Sequence, residues 1–484
     1  MKVAVNRTSI RLTPDSTRVL IRPFIPSTER RIIKIISRVI SLSRQEVHQQ
    51  LNNVMQEFAG RHLDIRSIFL ERFESVRHHM ITDIEPEEEV KLLIGSYFTS
   101  EYALESAALF NPSIVPHPDQ SGLADGALRF IMSLRAIGEG HISCISFRCG
   151  TIEPDLSISF EKTSRFVTTP DPITNAAYDK VCYAQKLFEI GMNNQFSKIV
   201  LESLQSSFTL PELEASIKYH KRHSHNGFAN TDRTAEAMMW LAYANYEIIF
   251  AEDLPIGNRI IFPESPSEKK GIEDARFVLF TDDDGTRTYY ASYTAYDGLT
   301  MLPQLIETQD FQHFRIITLN GQAAQNKGMA LFPRKLNGKY AMLSRQDNEN
   351  IFIMYSDNIH FWHEARIVMK PSYTWEFIQL GNCGSPIETS EGWLVLTHGV
   401  GAMRKYAIGA VLLDLQDPTR VISRLTEPLI EPNENEREGY VPNVVYTCGA
   451  LLHQDTLILP YAMADYATGV ATVNIHELLD AMKF

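Results

Sequence analysis

The sequence predicts a mainly β protein with an N-terminal helical region and a helical insertion. Three observations support this. After about residue 255, short apolar runs alternate with turn residues nearly to the end, among them "RFVLF", "TYYASYTAY", "FRIITL", "NIFIMYS", "GWLVLTHG" and "TLILPYAMA". These runs are rich in the β-branched and aromatic residues that suit a pleated, half-buried surface. Two other stretches, 28–80 and 171–250, place apolar residues at helical spacing. Many short antiparallel strands over roughly 300 residues indicate a sandwich, a barrel or a propeller, and no strict WD or kelch repeat is visible.

Taken in order, Ile32, Ile33, Ile36, Val39 and Ile40 form the first apolar stripe. Ser43 stands three residues before Glu46, the spacing of a capping box, and Val47, Leu51, Val54, Met55 and Phe58 follow. Gly60 reads as the stop. The acidic run "DIEPEEEV" at 83–90 reads as an exposed connection or a helix start. From residue 92 the period changes, and "ALRFIMSLRAIGEGHISCISFRCGTI" and "LSISFEKTSRFV" read as strands. Helical period returns in "NAAYDKVCYAQKLFEIGM", "TLPELEASIKYHKRH" and "TAEAMMWLAYANYEIIF". The expected segments are therefore 1–91 with the helical region, 92–170 β, 171–254 helical and 255–484 β. The two helical stripes are too long to stay solvated and should bury against the β region or a second subunit, which leaves a homo-oligomer open.

Composition narrows the function. A formal net charge of −13 over 484 residues argues against wholesale binding to nucleic acid or an anionic membrane. No apolar run reaches membrane-spanning length, and the charged N-terminus lacks a secretory h-region. Five scattered cysteines, without CxxC spacing, predict buried thiols in a reducing cytoplasm and no zinc site. The histidines at 78–79 and in "HKRHSH" (220–225) read as solvated helix ends rather than metal ligands, so no metal is expected. "GEGHIS" (138–143) lacks a following helix and a P-loop pattern, and reads as a strand turn that could reach a cleft through His141.

The stretch "EKKGIEDARF" (268–277) sets Glu273 and Asp274 side by side, with Arg276 two residues on, at the mouth of a hairpin. Strand alternation predicts Asp274 and Arg276 on one face and Glu273 on the other. That suits a positioned proton donor, and it also suits a surface hairpin in which Asp274 simply pairs with Arg276.

Five segments in order give the chain a resemblance to glycoside hydrolase family 130, the β-mannoside phosphorylases and β-mannosidases. They are "GIEDAR" (271–276), "ALFPRKLNGKYAMLSR" (330–345), "GSPIETSEGWLVLTHGV" (384–400), "YAIGAVLLDLQDPTRVI" (406–422) and "PNVVYTCGALLHQDTLILPYAMAD" (442–465). The resemblance implies a five-bladed β-propeller with its site at the central channel, 92–170 and 255–484 supplying the ring. The long N-terminal form, with "RPF" near its start, looks like the oligomannan phosphorylase branch. Ala275 departs from the proline usual in the signature, and Ala462 and Met463 depart from the usual "YYGAAD".

Cleaving a glycosidic bond needs a proton for the departing oxygen and a nucleophile at the anomeric carbon. The resemblance makes Asp274 the general acid. It makes Lys327, Arg345 and His398 a cationic pocket for phosphate, a group held by guanidinium forks, ammonium and imidazole. It also assigns Asn111, Arg135, Arg259, Glu273, Arg276, Tyr293, Asp357 and Asp465 to the sugar. Several have an ordinary reading too: Glu273 as a buttress of the hairpin, Lys327 as a loop charge, Arg345 paired with Asp347, His398 as a core imidazole and Tyr293 as a core aromatic; Trp362 reads as core. Ser390 and Glu391 stand where many phosphorylases carry lysine, and Glu388 or Glu391 near the site would favour activation of water. The expected activity is an inverting β-mannoside phosphorylase, acting on β-1,2-linked oligomannosides with inorganic phosphate as co-substrate and no other cofactor. A β-mannosidase using water and a non-catalytic sugar-binding propeller are the alternatives.

Overall fold

The computed structural model describes residues 3–82, 84–173, 176–223 and 230–483. Among them the chain forms two compact units. The smaller comprises Asp15–Ser106 and Thr163–Thr168. Four helices build it: Glu29–Ile40, Arg44–Phe58, Ile65–Val76 and Glu88–Tyr97. The Ser43–Glu46 capping box forms, and Gly60 lies in the short 3-10 turn that follows Phe58. Ile32, Ile36, Val39, Val47, Phe73, Val76, Leu93, Ile94 and Phe98 make the core. A Cβ at Gly95 would sit 1.8 Å from the Phe69 carbonyl oxygen, so only glycine permits that helix contact. The β region expected from residue 92 begins later. Residues 88–97 are helical, with Glu88 and Glu89 favouring the N-terminal turn, and Thr99–Ala103 pairs with Val19–Pro23 inside this unit.

The larger unit holds residues up to Pro14, Ala107–Lys162 and everything from Thr169. Its strands are almost wholly antiparallel and, apart from a small pair in the helical insertion, Ala177–Asp179 with Ser207–Thr209, fall into five groups. The first is Ala108–Pro116, Leu128–Ile137 and Ser143–Ile152, edged by Ile158–Phe160. The second is Gly271–Thr281, Arg287–Tyr296, Met301–Thr308 and His313–Thr318, extended by Tyr246–Ile249. One parallel pair, Ser143 with Gly271, joins these two into a single sheet. The third is Lys327–Leu331, Tyr340–Arg345, Ile351–Ser356 and Ala365–Met369. The fourth is Gln379–Asn382, Gly392–Val400, Tyr406–Leu413 and Val421–Arg424. The fifth is Val445–Tyr446, Thr456–Met463 and Ala467–Asn474, completed by Val5–Leu12 from the far end of the chain.

Hydrogen bonds link each group to the next. Ser113 Oγ accepts from the Phe277 amide at 3.0 Å, between the first and second. Ser292 Oγ donates to the Met329 carbonyl, between the second and third. Asn382 Nδ2 donates to the Gly328 carbonyl at 2.8 Å, between the third and fourth. The Tyr406 amide donates to the Asn443 carbonyl at 3.0 Å, just before the fifth, and the Cys448 amide returns to the Pro112 carbonyl of the first at 2.8 Å. The helical insertion, with Lys180–Glu189, Gln195–Glu202, Leu210–His223 and Thr231–Tyr243, has its own core around Tyr183, Leu187, Phe196, Val200, Leu213 and Met238. Of the "HKRHSH" stretch, residues 224 and 225 lie outside the described residues; His223 ends its helix with Nδ1 2.8 Å from the Tyr219 carbonyl. Among the described residues no helix is long and apolar enough to cross a membrane.

Candidate active site

The site is made by breaks in regular pairing at the first strands of the groups. Pairing slips between Phe110 and Ser113, between Glu273 and Arg276, and between Lys327 and Ala330. Left-handed residues mark these places: Asn111 (φ 49°), Asp274 (φ 54°) and Asn326 (φ 63°), with Asp465 (φ 49°) in the turn that closes the fifth group. Among residues with a side chain, Asn and Asp tolerate this region best, where L-residues in general pay roughly 1–2 kcal/mol. A bulge also re-aims side chains. Simple alternation is therefore overturned at "IEDAR". Glu273 and Asp274 do not point to opposite faces; both carboxylates reach the same guanidinium, Arg135 Nη2 to Glu273 Oε1 at 2.9 Å and Nη1 to Asp274 Oδ1 at 3.3 Å. Arg276 makes its shorter bonds to other groups, its Nε donating to the Cys383 carbonyl at 2.6 Å and its Nη2 to Tyr446 Oη at 2.7 Å, while its Nη1 lies 3.4 Å from the Asp274 backbone carbonyl.

Asp274 also accepts from Asn111 Nδ2 at 2.7 Å. Burial pushes its carboxyl up, but the charges of Arg135, Arg276 and Lys327 and the Asn111 bond outweigh burial and hold it below the usual carboxylate range. Asp465 goes the other way. Burial, then the Asp274 charge, raise it to about 7 against the pull of Arg135. Asn111 Oδ1 and Arg135 Nε are buried without a partner. Buried polar atoms seldom stay unpaired, so this acceptor and this donor are open to a ligand or to water.

Beyond Glu273 the polarity reverses. Lys327 Nζ lies 3.3 Å from Glu273 Oε2 and pairs in register with Arg345. Arg345 is 7% exposed, and its Nη1 donates to His398 Nε2 at 2.9 Å. Among the described residues no carboxylate lies within ion-pair distance of Arg345, and its Nε has no partner. Asp347, the alternative partner, instead caps its own loop through the Glu349 and Asn350 amides. The Gln379 amide stands 3.2 Å from the same His398 nitrogen. Burial, then Arg345 and Arg276, push His398 well below its ordinary value. His398 is thus a neutral acceptor that orients Arg345, which corrects its reading as one of three cations. Gly381 makes room for both: a Cβ there would lie 2.5 Å from His398 Cε1 and 2.9 Å from Arg345 Cδ.

Several predicted residues lie apart from this cluster. Arg259 is buried on the Leu254 and Phe311 carbonyls, 2.6 Å from each, because an unpaired loop end needs its donors. Tyr293 is a core residue whose hydroxyl bonds Glu268 and Gln304. Asp357 sits on an outer hairpin, 80% exposed and 3.4 Å from Lys339. Glu388 pairs with Arg334 and Glu391 with Lys483 at 2.9 Å, so both suspects for activating water are spent on surface ion pairs. Trp362 is core, its Nε1 donating to the Ile359 carbonyl at 2.7 Å. His141 lies in an exposed turn, with Nδ1 3.3 Å from Tyr440 Oη. Two participants escaped sequence reasoning. Tyr446 binds Arg276 and packs its ring 4.9 Å from His398, and Gln379 flanks the imidazole. Tyr446 stands inside a matching segment, "PNVVYTCGA", where a polar-tipped aromatic amid apolar neighbours was the available signal.

The family model for glycoside hydrolase 130, described as beta-1,4-mannooligosaccharide phosphorylase, matches residues 253–484. A 1,2-beta-oligomannan phosphorylase of Thermoanaerobacter sp. (strain X514) is 37% identical over 223 residues, 44% of this chain and 72% of that protein. A beta-1,2-mannobiose phosphorylase of the same organism is 35% identical over 272 residues, 53% of this chain and 86% of that protein. Among solved structures, the beta-1,2-mannobiose phosphorylase from Listeria innocua in complex with beta-1,2-mannobiose is 22% identical, with a TM-score of 0.46, over 79% of this chain and 93% of that one. The family model and the curated relatives make the protein an enzyme that transfers glycosyl groups. The chain belongs to glycoside hydrolase family 130.

Proposed function

We propose that the protein is an inverting β-mannoside phosphorylase acting on β-1,2-linked oligomannosides. Its five strand groups are read as the blades of a five-bladed propeller. The ring of bonds from Ser113–Phe277 round to Cys448–Pro112 supports closure, as does the sharing of the fifth group by the first and last strands. The single observation that carries the activity is the charge imbalance. Arg135, Arg276, Lys327 and Arg345 bring four cations, while Glu273, Asp274 and Asp465 bring three carboxyls, of which Asp465 holds its proton up to about pH 7. A site with surplus positive charge and an uncompensated guanidinium suits a phosphate.

In this reading the terminal mannosyl ring lies between Asp274 and the Lys327–Arg345 pair. Asn111 and Arg135 hold its hydroxyls. Asp274 delivers a proton, directly or through a sugar hydroxyl, to the bridging oxygen as the bond from the anomeric carbon breaks. A phosphate oxygen, held by Arg345 and Lys327, forms the new bond from the opposite face. The β-linkage becomes α-mannose 1-phosphate, and the shortened acceptor leaves with the proton. No carboxylate stands beside Arg345 among the described residues, which is why water activation has less support. Inorganic phosphate is the only co-substrate required, and a cytoplasmic setting suits the five free thiols. The test is incubation with β-mannobioses of different linkage, with and without phosphate. Mannose 1-phosphate formed only with phosphate, and fastest from the β-1,2 isomer, is expected. Free mannose released at the same rate without phosphate rules the reading out.

A further inference from the structure

The helical insertion holds a backbone turn that leads, through two further bonds, to the residues beside Arg345 and Lys327. In the helix Lys180–Glu189, Lys186 and Glu189 stand one turn apart and pair at 3.0 Å. Together they grip both polarities of a backbone turn: Lys186 Nζ donates to the Leu319 carbonyl at 2.6 Å, and Glu189 Oε1 accepts from the Gly321 amide at 2.6 Å. Lys186 is 5% exposed. The turn's other flank rests on 360–362, with the Asn320 amide on the His360 carbonyl and the Trp362 amide on the Asn320 carbonyl, both at 2.8 Å. Gly321 (φ +100°) fits only because it lacks a Cβ, which would sit 2.0 Å from the Trp362 carbonyl oxygen.

From this turn two short links run to the cations. Gln346 Nε2 donates to the Ala323 carbonyl at 2.9 Å, and Gln346 is the residue after Arg345. Asn326 Nδ2 donates to the Gln346 carbonyl at 3.2 Å, and Asn326 precedes Lys327. A buried Lys–Glu pair contributes little net stability compared with apolar residues of similar volume. Its contribution here is geometric: a donor and an acceptor at fixed separation hold one carbonyl and one amide of a turn that apolar side chains could not hold.

We propose that Lys186 and Glu189 are positioning residues for the phosphate site, the helical insertion fixing the 319–324 turn and, through Gln346 and Asn326, the placement of Arg345 and Lys327. This rests on the phosphorylase reading above. Wild-type enzyme assayed with and without phosphate decides that reading first; turnover independent of phosphate fails it and takes this assignment with it. With phosphate-dependent wild type, Glu189→Ala and Lys186→Met are compared with Glu189→Gln, whose amide oxygen still accepts from Gly321. The expected result is a phosphate KM raised about tenfold or more in the first two, since misplacements near 1 Å cost up to roughly a hundredfold. The mannoside KM stays unchanged, and Glu189→Gln recovers most of the loss. Hydrogen exchange of the 319–328 peptide rises in Glu189→Ala and falls again on adding inorganic phosphate. If Glu189→Ala does not fold, Glu189→Asp, one methylene shorter, carries the same comparison. Equal rises in both KM values, or an unmoved phosphate KM in a folded variant, overturn the assignment while leaving the phosphorylase reading intact.

Discussion

Arg345 donates its Nη1–H to His398 Nε2 at 2.9 Å, so the imidazole meets the guanidinium as a neutral acceptor. A guanidinium cannot accept, which assigns the remaining ring proton to Nδ1, the nitrogen 3.9 Å from Cys383 Sγ. The buried ring is held well below its ordinary value by burial and then by Arg345 and Arg276. NMR of the ring nitrogens is expected to show His398 neutral throughout pH 5–8. Because its folded value is depressed, its contribution to stability is present above the unfolded value near 6.5 and is lost as pH falls below it, with a slope of at most about 1.4 kcal/mol per pH unit. His398→Asn should flatten that part of the stability curve. A His398 that titrates near 6.5 contradicts the neutral-acceptor geometry.

Asp274 poses a proton problem. The surrounding cations keep it ionised when the site is free, yet a general acid must start protonated. Phosphate on Lys327 offsets one of the charges that depress it, and a sugar ring adds burial, so both substrates move the carboxyl upward. Calorimetry in buffers of different ionisation enthalpy is expected to show proton uptake on ternary-complex formation that is absent in Asp274→Asn. The same variant should keep its fold and lose about 10²–10⁴-fold in turnover, the usual weight of a positioned proton donor. Identical uptake in wild type and variant would remove Asp274 from this role.

Asp465 carries a cost that can be measured. Its folded value, about 7, lies above the unfolded value, so the folded state binds the extra proton and stability falls as pH rises from about 4 to 7. Asp465→Asn removes that penalty. Its unfolding free energy should exceed that of wild type by more at pH 8 than at pH 5, by an increment on the order of a few kcal/mol. An equal difference at both pH values would mean that Asp465 ionises freely.

Much of this architecture was legible in the sequence because it is local. The Ser43–Glu46 cap and the stripe of Ile32, Ile36 and Val39 obey helical spacing, and both form as expected. The mainly β reading after residue 255 rested on short apolar runs set between turn residues, and Gly392–Val400 is such a run, buried at every position. What could not be read depends on partners distant in the chain. Asp274 aims at Arg135 because a bulge interrupts pairing, and the residues that meet it there, Asn111 and Arg135, come from more than a hundred positions earlier. The strand Val5–Leu12 completes the fifth group with Ala467–Asn474, a pairing that no local pattern encodes. Motif position alone also misplaced Arg259, Tyr293 and Asp357, whose types suit a sugar site but whose hydrogen bonds serve a loop end, a core and a surface hairpin.

Gly381 offers the sharpest geometric test of the anion pocket. It lies in Gln379–Asn382, opposite His398 in the pairing, and its missing side chain is the space that His398 and Arg345 share. A Cβ would stand 2.5 Å from His398 Cε1, 2.8 Å from Nε2 and 2.9 Å from Arg345 Cδ, closer than real carbon contacts allow. The imidazole is buried at 1% exposure, so it has no free volume into which to move. The aliphatic stem of Arg345 is the softer neighbour, and Gly381→Ala should therefore push the guanidinium out of register with Lys327. Overpacking of this kind destabilises by about 1–3 kcal/mol, which leaves a folded protein to assay. The phosphate KM is expected to rise at least tenfold, as for other misplacements of a binding group, while the mannoside KM holds. The double variant Gly381→Ala with Arg345→Ala should be no worse for phosphate than Arg345→Ala alone, because the displaced group is already gone. Additive losses in that pair would show that Gly381 acts through something other than Arg345.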